Sequence, residues 1–229
     1  MIFPTSILNT YFEKIPHFNG IISVWGDFGV GKTTYALQTT FNTIGNETKS
    51  IYIYTKPSFP YYKISNIIKT SKKDLDSISF ITLGEFNELH SLVFNLEFLI
   101  LNNLKRRAIP YKLIVIDSLT DLYRLALNRE KKDKNYNLNY NLNQILANLH
   151  YLNETYNVEI LVINEKVQSR INDTIVELQS GGKVMDYWVS LDIKIERTGV
   201  LKERKFALTN HINNDTFEFL SNMTEKGFQ

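Results

Sequence analysis

Residues 26–34 read Gly-Asp-Phe-Gly-Val-Gly-Lys-Thr-Thr and complete the spacing G-x-x-x-x-G-K-[ST]. Glycines at 26, 29 and 31 let the backbone take positive φ angles, so successive N–H groups can converge on one anion. The lysine after the last glycine can reach the outer phosphates of a polyphosphate, and the next hydroxyl can ligate a hard cation. The chemistry implied is the holding of a nucleoside triphosphate. Gly26, Asp27, Phe28, Gly29, Val30, Gly31, Lys32, Thr33 and Thr34 form the expected cradle, with Thr33 on Mg²⁺. The bland alternative is a glycine-rich turn. Against it, the pattern is complete and stands between a strand-like run (Ile21 to Trp25) and a helical one (Lys32 to Thr43).

Such a site needs an acidic partner for the metal shell. Lys112-Leu113-Ile114-Val115-Ile116-Asp117-Ser118 offers one: four apolar residues of a buried strand, then Asp117 at its C-terminal end. Ligands of open α/β sheets bind at that end. Asp117 could also cap the helix that follows, and the two roles are compatible. A guanine-binding Asn-Lys-x-Asp motif is lacking, since the nearest run is Asn164-Glu165-Lys166, which favours ATP over GTP.

The elements that must position these residues follow from apolar periodicity. Strands are expected at Ser50 to Tyr54, Ile78 to Thr82, Leu113 to Ile116 and Glu159 to Ile163. Helices are expected at Glu85 to Arg107, Leu119 to Arg129 and Leu142 to Tyr156, and Glu130 to Asn141 reads as an exposed loop or helix end. Val189 to Glu196, Lys205 to Thr209 and Thr216 to Leu220 alternate as antiparallel strands do. The fold class predicted is α/β: a mostly parallel sheet covered by helices on both faces, with antiparallel strands at the C-terminal end. No repeat or linker divides the chain, so residues 1–229 read as one domain.

Composition narrows the classes. Apolar residues make up 43% of the chain, enough for a sizeable core, which disfavours intrinsic disorder. A net charge of +2 announces no nucleic-acid partner, so any basic surface must be local. There is no cysteine, which removes disulfides, thiolate metal sites and cysteine nucleophiles. No signal peptide is visible, and the apolar run Leu92 to Leu101 is too short and too polar to span a bilayer. The expected address is the cytoplasm, without a membrane partner.

The run Ile116-Asp117-Ser118-Leu119-Thr120-Asp121-Leu122-Tyr123-Arg124 resembles the acidic strand of the RecA/RadA recombinases, and among them the archaeal RadB-like paralogues. Leu161-Val162-Ile163-Asn164-Glu165 resembles the family's strand ending in Asn-Gln. Gly181-Gly182 resembles the glycine pair after its second DNA loop, and Phe217-Glu218-Phe219 with Lys226-Gly227-Phe228 its last strand and terminus. The resemblance runs from about Ile7 to Phe228 and implies a RecA-type ATPase core working in DNA recombination or repair.

Three departures qualify it. The sequence opens almost at the core, without the family's N-terminal helical DNA-binding domain or its Phe-x-x-Ala segment, so an accessory paralogue is expected rather than a self-polymerising recombinase. The family's catalytic Glu after the second strand aligns with Lys56, and a protonated lysine cannot act as a general base. The family's sensor Gln is Glu165 here, a carboxylate that a triphosphate repels unless a cation intervenes. The candidate catalytic residues are Lys32, Asp117 and Glu165, with ATP and Mg²⁺ as cofactors, and ATP binding with weak or absent hydrolysis is expected.

The resemblance also places two loops against single- or double-stranded DNA. One carries Arg124, Arg129, Lys131, Lys132 and Lys134, followed by Tyr136 and Tyr140, which could stack on bases. The other, Lys166 to Lys183, carries Lys166, Arg170 and Lys183. Lys and Asn are frequent throughout, so an ordinary solvated surface is the competing reading. His17, His90, His150 and His211 show no metal-ligand spacing. Expected partners are a RecA-family protein or a second copy of the chain. A nucleotide-gated assembly protein of the KaiC or archaellum type, acting without DNA, is the alternative function.

Overall fold

The structure is a computed structural model and describes residues 1–15, 18–45, 47–71, 75–127, 132–171 and 173–229. Among the described residues a ten-stranded sheet runs in the order β10-β9-β8-β7-β1-β5-β4-β2-β3, with β6 paired to β5. The strands are β1 (Ile21–Gly26), β2 (Lys49–Tyr54), β3 (Ile78–Thr82), β4 (Tyr111–Asp117), β5 (Glu159–Ile171), β6 (Thr174–Gln179), β7 (Val189–Arg197), β8 (Glu203–Asn210), β9 (Asp215–Thr224) and β10 (Gly227–Phe228). Pairs from β3 through β7 along that order are parallel, and β7-β8, β8-β9 and β9-β10 are antiparallel. The predicted parallel centre and antiparallel C-terminal edge are both present.

Helices α1 (Ser6–Glu13), α2 (Lys32–Thr43), α3 (Tyr61–Ser71), α4 (Phe86–Lys105), α5 (Leu119–Ala126), α6 (Lys132–Tyr156) and α7 (Gly182–Trp188) cover the sheet. The unbroken apolar run in β4 is explained by this. Leu113 and Val115 enter one core cluster with Leu37 and Phe41 of α2, while Ile114 and Ile116 enter the other with Leu89 of α4 and Leu146 of α6. A strand buried on both faces has no position left for a polar side chain until its end, which is where Asp117 stands.

Two expectations are corrected, and one open choice is decided. Of the stretch read as an exposed loop or helix end, Lys132 to Asn141 are helical and form the first part of α6. Repeated Asn weakens helix propensity, and packing of Leu138, Leu142, Ile145 and Leu149 into the core overrides it. The candidate DNA loop after residue 165 is a β-hairpin, with Lys166 to Ile171 paired to Thr174 to Gln179. Finally, β7 is parallel to β1 on one side and antiparallel to β8 on the other, so its alternation did not report its pairing. Among the described residues, no helix is long and apolar enough to cross a membrane.

Candidate functional site

The site is assembled at the C-terminal ends of β1, β4 and β2, and at the point where β5 leaves its parallel pairing with β1. Register aligns them: Gly26 of β1 faces Glu165 of β5, and Tyr54 at the end of β2 faces Asp117 at the end of β4. Gly26 has φ 149°, and a Cβ there would stand 2.2 Å from the Ile195 carbonyl oxygen of β7. Gly31 caps α2 with φ 112°, and a Cβ there would stand 2.7 Å from the Phe228 ring and the Met223 Sδ. Both glycines answer two demands together, a left-handed backbone and a close neighbour.

The loop is gripped from the antiparallel edge. Arg197 Nη2 donates to the Phe28 carbonyl at 3.1 Å, and Arg204 Nε donates to the Val30 carbonyl at 3.1 Å. Phe28 itself is 86% exposed at the tip. Lys32, Thr33 and Thr34 open α2 and are buried, so the helix start and the lysine face the strand ends. Lys32 Nζ donates to the carbonyls of Gly26 at 2.9 Å and Asp27 at 2.8 Å, and to Glu165 Oε2 at 2.7 Å. Burial lowers its pKa, and the hydrogen bond to Glu165 works against that.

Asp117 is fully buried. Its Oδ2 accepts from the Tyr52 hydroxyl at 2.9 Å, and burial next to that carboxylate raises the Tyr52 pKa so far that the phenol stays a neutral donor. Among the described residues its Oδ1 has no hydrogen-bond partner. With the Lys56 ammonium 3.5 Å away and no hydrogen bond made, this carboxylate oxygen at the end of a central strand fits a water of a hard cation, with the Thr33 hydroxyl as a second donor. Among the described residues no three His, Cys, Asp or Glu side chains converge on a metal position. Magnesium held partly by phosphates and water needs no such cage.

Lys56 enters the same space. Its Nζ lies 3.5 Å from Asp117 Oδ1, 3.4 Å from Glu165 Oε1 and 4.0 Å from Asp121 Oδ2. Burial on its own would lower the Lys56 pKa, but the three carboxylates together outweigh it and raise it. Asp121 is pushed upward by burial against the opposing pull of Lys56. The family resemblance marks Lys56 in the sequence, but Asp121 and Tyr52 join the site only in the fold. For Asp121 the available signal is its place in the first turn of α5, just after Asp117. For Tyr52, buried in a strand, there is none.

Asn164, just before Glu165, is fully buried beneath the site. It accepts from Thr120 Oγ1 at 3.2 Å and donates to Ser23 Oγ at 3.2 Å and Gln179 Oε1 at 3.1 Å. This network ties β5 to β1, to α5 and to the end of β6.

The predicted DNA-facing residues separate. Arg124 is exposed near the end of α5, beside Leu125, which is 81% exposed. Lys134, Tyr136 and Tyr140 are exposed on α6, the two tyrosines one turn apart. Arg170 is exposed on the hairpin and pairs with Asp173 at 3.1 Å. Arg129 and Lys131 lie outside the described residues, as does the side chain of Lys132. Lys166 differs from the rest: its ammonium holds Asp27 Oδ2 of the glycine-rich loop at 2.8 Å and Glu177 Oε1 of β6 at 2.6 Å. It joins the loop to the hairpin, and a DNA phosphate would have to displace two carboxylates to reach it.

The hairpin anchor has a pH signature. Hydrogen bonds from Lys166 and then Lys194 hold the Glu177 carboxyl down at about 2, from an ordinary 4.5. A depressed carboxylate adds stability above its unfolded pKa and loses it as pH falls toward the folded value. The melting difference between the native chain and Glu177→Gln should therefore be constant above pH 5 and shrink between about pH 4.5 and 2. Solvent screening keeps it to about 1 kcal/mol or less. A difference that does not change across that window would refute the assignment.

Of the remaining histidines, His211 Nε2 lies 2.7 Å from Asp192 Oδ2, whose other oxygen accepts from Trp25 Nε1 at 2.8 Å. His150 pairs with Glu154, and His90 with Gln144. His17 lies outside the described residues.

Comparison with known proteins agrees with this arrangement. The Rad51 family model matches residues 14–204. A protein of Methanocaldococcus jannaschii named "DNA repair and recombination protein RadB" is 28% identical over 213 residues, 92% of this chain and 93% of the relative. Proteins of the same name from Methanococcus maripaludis and Methanosphaera stadtmanae are 30% and 28% identical, over 90% and 83% of this chain and 86% and 78% of the relatives. With a glycine-rich loop, an acidic strand end and a RecA-type sheet order in one chain, and a family match over most of its length, this protein belongs to the Rad51 family within the RecA/RadA superfamily.

Proposed function

We propose that this chain is an ATP-binding RadA paralogue of the cytoplasm that assists DNA recombination or repair, retaining nucleotide binding with slow turnover. The observation that carries it is the Lys56 ammonium beside Asp117 and Glu165. A complete cradle supports binding. A cation at the strand end where the family's water-polarising Glu is expected leaves no base at that position.

Lys32 would leave Glu165 for the outer phosphates, with the start of α2 and the loop N–H groups around the β-phosphate. Thr33 and Asp117 are the residues that would hold Mg²⁺, which neutralises phosphate charge when bound. Glu165 keeps Lys56 as its partner and can orient a water through its carboxylate. Arg124, Lys134 and Arg170, with the exposed faces of Tyr136 and Tyr140, form the proposed DNA contact: cations for phosphates and rings for bases.

Single-turnover hydrolysis, with and without DNA, together with gel shifts at low and raised salt, tests the reading. The expected result is slow hydrolysis that Lys32→Ala removes, and DNA binding that weakens with salt and with Arg124→Ala plus Tyr136→Ala. Turnover at the rate of an active recombinase would overturn the slow-turnover part, and absence of binding to either form of DNA would overturn the DNA part. A second reading rests on Phe28, 86% exposed on the loop itself: a nucleotide-gated contact with a protein partner. ATP-dependent association with a RecA-family protein, or with a second copy, in the absence of DNA binding would favour it.

A further inference from the structure

Among the described residues five charged groups pair at the strand ends, and the Lys63 ammonium of α3 lies within electrostatic reach of Asp117 and Lys56. Of the five, three are carboxylates, Asp117, Asp121 and Glu165, and two are ammoniums, Lys32 and Lys56. Glu165 bridges the two lysines with one oxygen each: Oε2 to Lys32 at 2.7 Å and Oε1 to Lys56 at 3.4 Å. A triphosphate draws Lys32 away from that bridge. Without Lys56, only the more distant Lys63 ammonium would offset three carboxylates facing a polyanion in a partly buried site, where charge repulsion is poorly screened.

Lys56 is held in place independently of any ligand. The preceding residue, Thr55, donates its backbone N–H to the Asp117 carbonyl at 2.9 Å. Its hydroxyl donates to the Ser118 carbonyl and accepts from the Ser118 N–H, both at 2.8 Å. The end of β2 is thereby clipped to the end of β4. The ammonium lands beside Asp117 Oδ1, a fully buried carboxylate oxygen with no hydrogen-bond partner among the described residues. A cation therefore already stands where a free one would be drawn.

Building on the nucleotide-binding reading, we infer that Lys56 is a resident counter-cation: its ammonium neutralises Asp117, Asp121 and Glu165 so that this chain holds a nucleoside triphosphate with little dependence on free divalent metal. Lys56 positions carboxylates and sets the metal requirement, and it performs no bond-making step. The same ammonium explains both properties of the site, an absent base and a retained cradle.

The test is titration of the full chain with ATP carrying a fluorescent ribose label, in Mg²⁺ and in EDTA, for the native protein, Lys56→Met and Lys56→Arg. Native affinity should fall less than about tenfold on chelation, and Lys56→Met on the order of a hundredfold, because metal then replaces the missing charge. Lys56→Arg should follow the native chain. The inference is overturned if native binding falls a hundredfold or more, or if Lys56→Met responds to chelation as the native chain does. A folded Lys56→Met that binds nothing even in Mg²⁺ overturns it as well, since metal should substitute for the ammonium. If Lys56→Met does not fold, the native measurement alone decides. Absence of native binding in both buffers would instead bring down the nucleotide reading, and this inference with it.

Discussion

Replacing Lys32 with alanine should lower ATP affinity by at least about a hundredfold, because a buried charge-assisted contact to the outer phosphates is lost with no substitute. Lys32 is the cation that opens α2, and its three partners, the carbonyls of Gly26 and Asp27 and the carboxylate of Glu165, aim it across the mouth of the loop. The fold should survive the change. Glu165 retains Lys56 at 3.4 Å, so no carboxylate is stranded, and burial already disfavours the charged lysine. Calorimetric titration with ATP–Mg²⁺ reads the affinity, and a melting curve reads the fold. Affinity within about threefold of the native value would mean that the loop is not a phosphate cradle.

Gly26→Ala should act in the opposite way, on the fold first. The new Cβ would stand 2.2 Å from the Ile195 carbonyl oxygen, a backbone atom of the paired strand β7 that cannot rotate aside. The residue would also have to hold φ 149°, where a side chain is strained. Opening β1 from β7 at the loop should cost about 3 kcal/mol or more, which for a chain of this size is a melting decrease of about 6–12 °C. Because the Gly26 carbonyl also receives Lys32, nucleotide affinity should fall along with stability. A melting point within about 2 °C of the native chain would show that the loop relaxes without β7.

Between them these substitutions separate what the loop does from what holds it. On these expectations Lys32 serves the ligand and not the sheet, and Gly26 serves the sheet first. Arg197 and Arg204, reaching the carbonyls of Phe28 and Val30 from β7 and β8, belong with Gly26 as supports.

The amino-acid sequence by itself determined the glycine-rich loop between a strand and a helix, the acidic strand end and the class of sheet. Each is a local property. The glycine-lysine-threonine spacing needs only the residues it contains, and an apolar run such as Leu113 to Ile116 declares a strand covered on both faces. Elements without such a signal were not foreseen. Ser6–Glu13 and Tyr61–Ser71 have no acidic residue in the first turn, and the second is rich in β-branched and aromatic residues, so packing against the sheet makes them helices. The start of α6 was hidden for the same reason, its Asn-rich run being helical only because its leucines are buried.

Only the tertiary structure decided how charges pair. Lys56, Asp117, Asp121 and Glu165 come from three strand ends and a helix, up to 109 positions apart in sequence, and the parallel register brings them within 4.0 Å of one ammonium. Lys166 shows the converse. In sequence it is one more basic residue near a candidate DNA loop, and in space its charge is taken by Asp27 and Glu177. A side chain's type can be read from one position, but its electrostatic partners are set by the fold, and here those partners decide whether a lysine is a free cation, a clamp or a counter-ion.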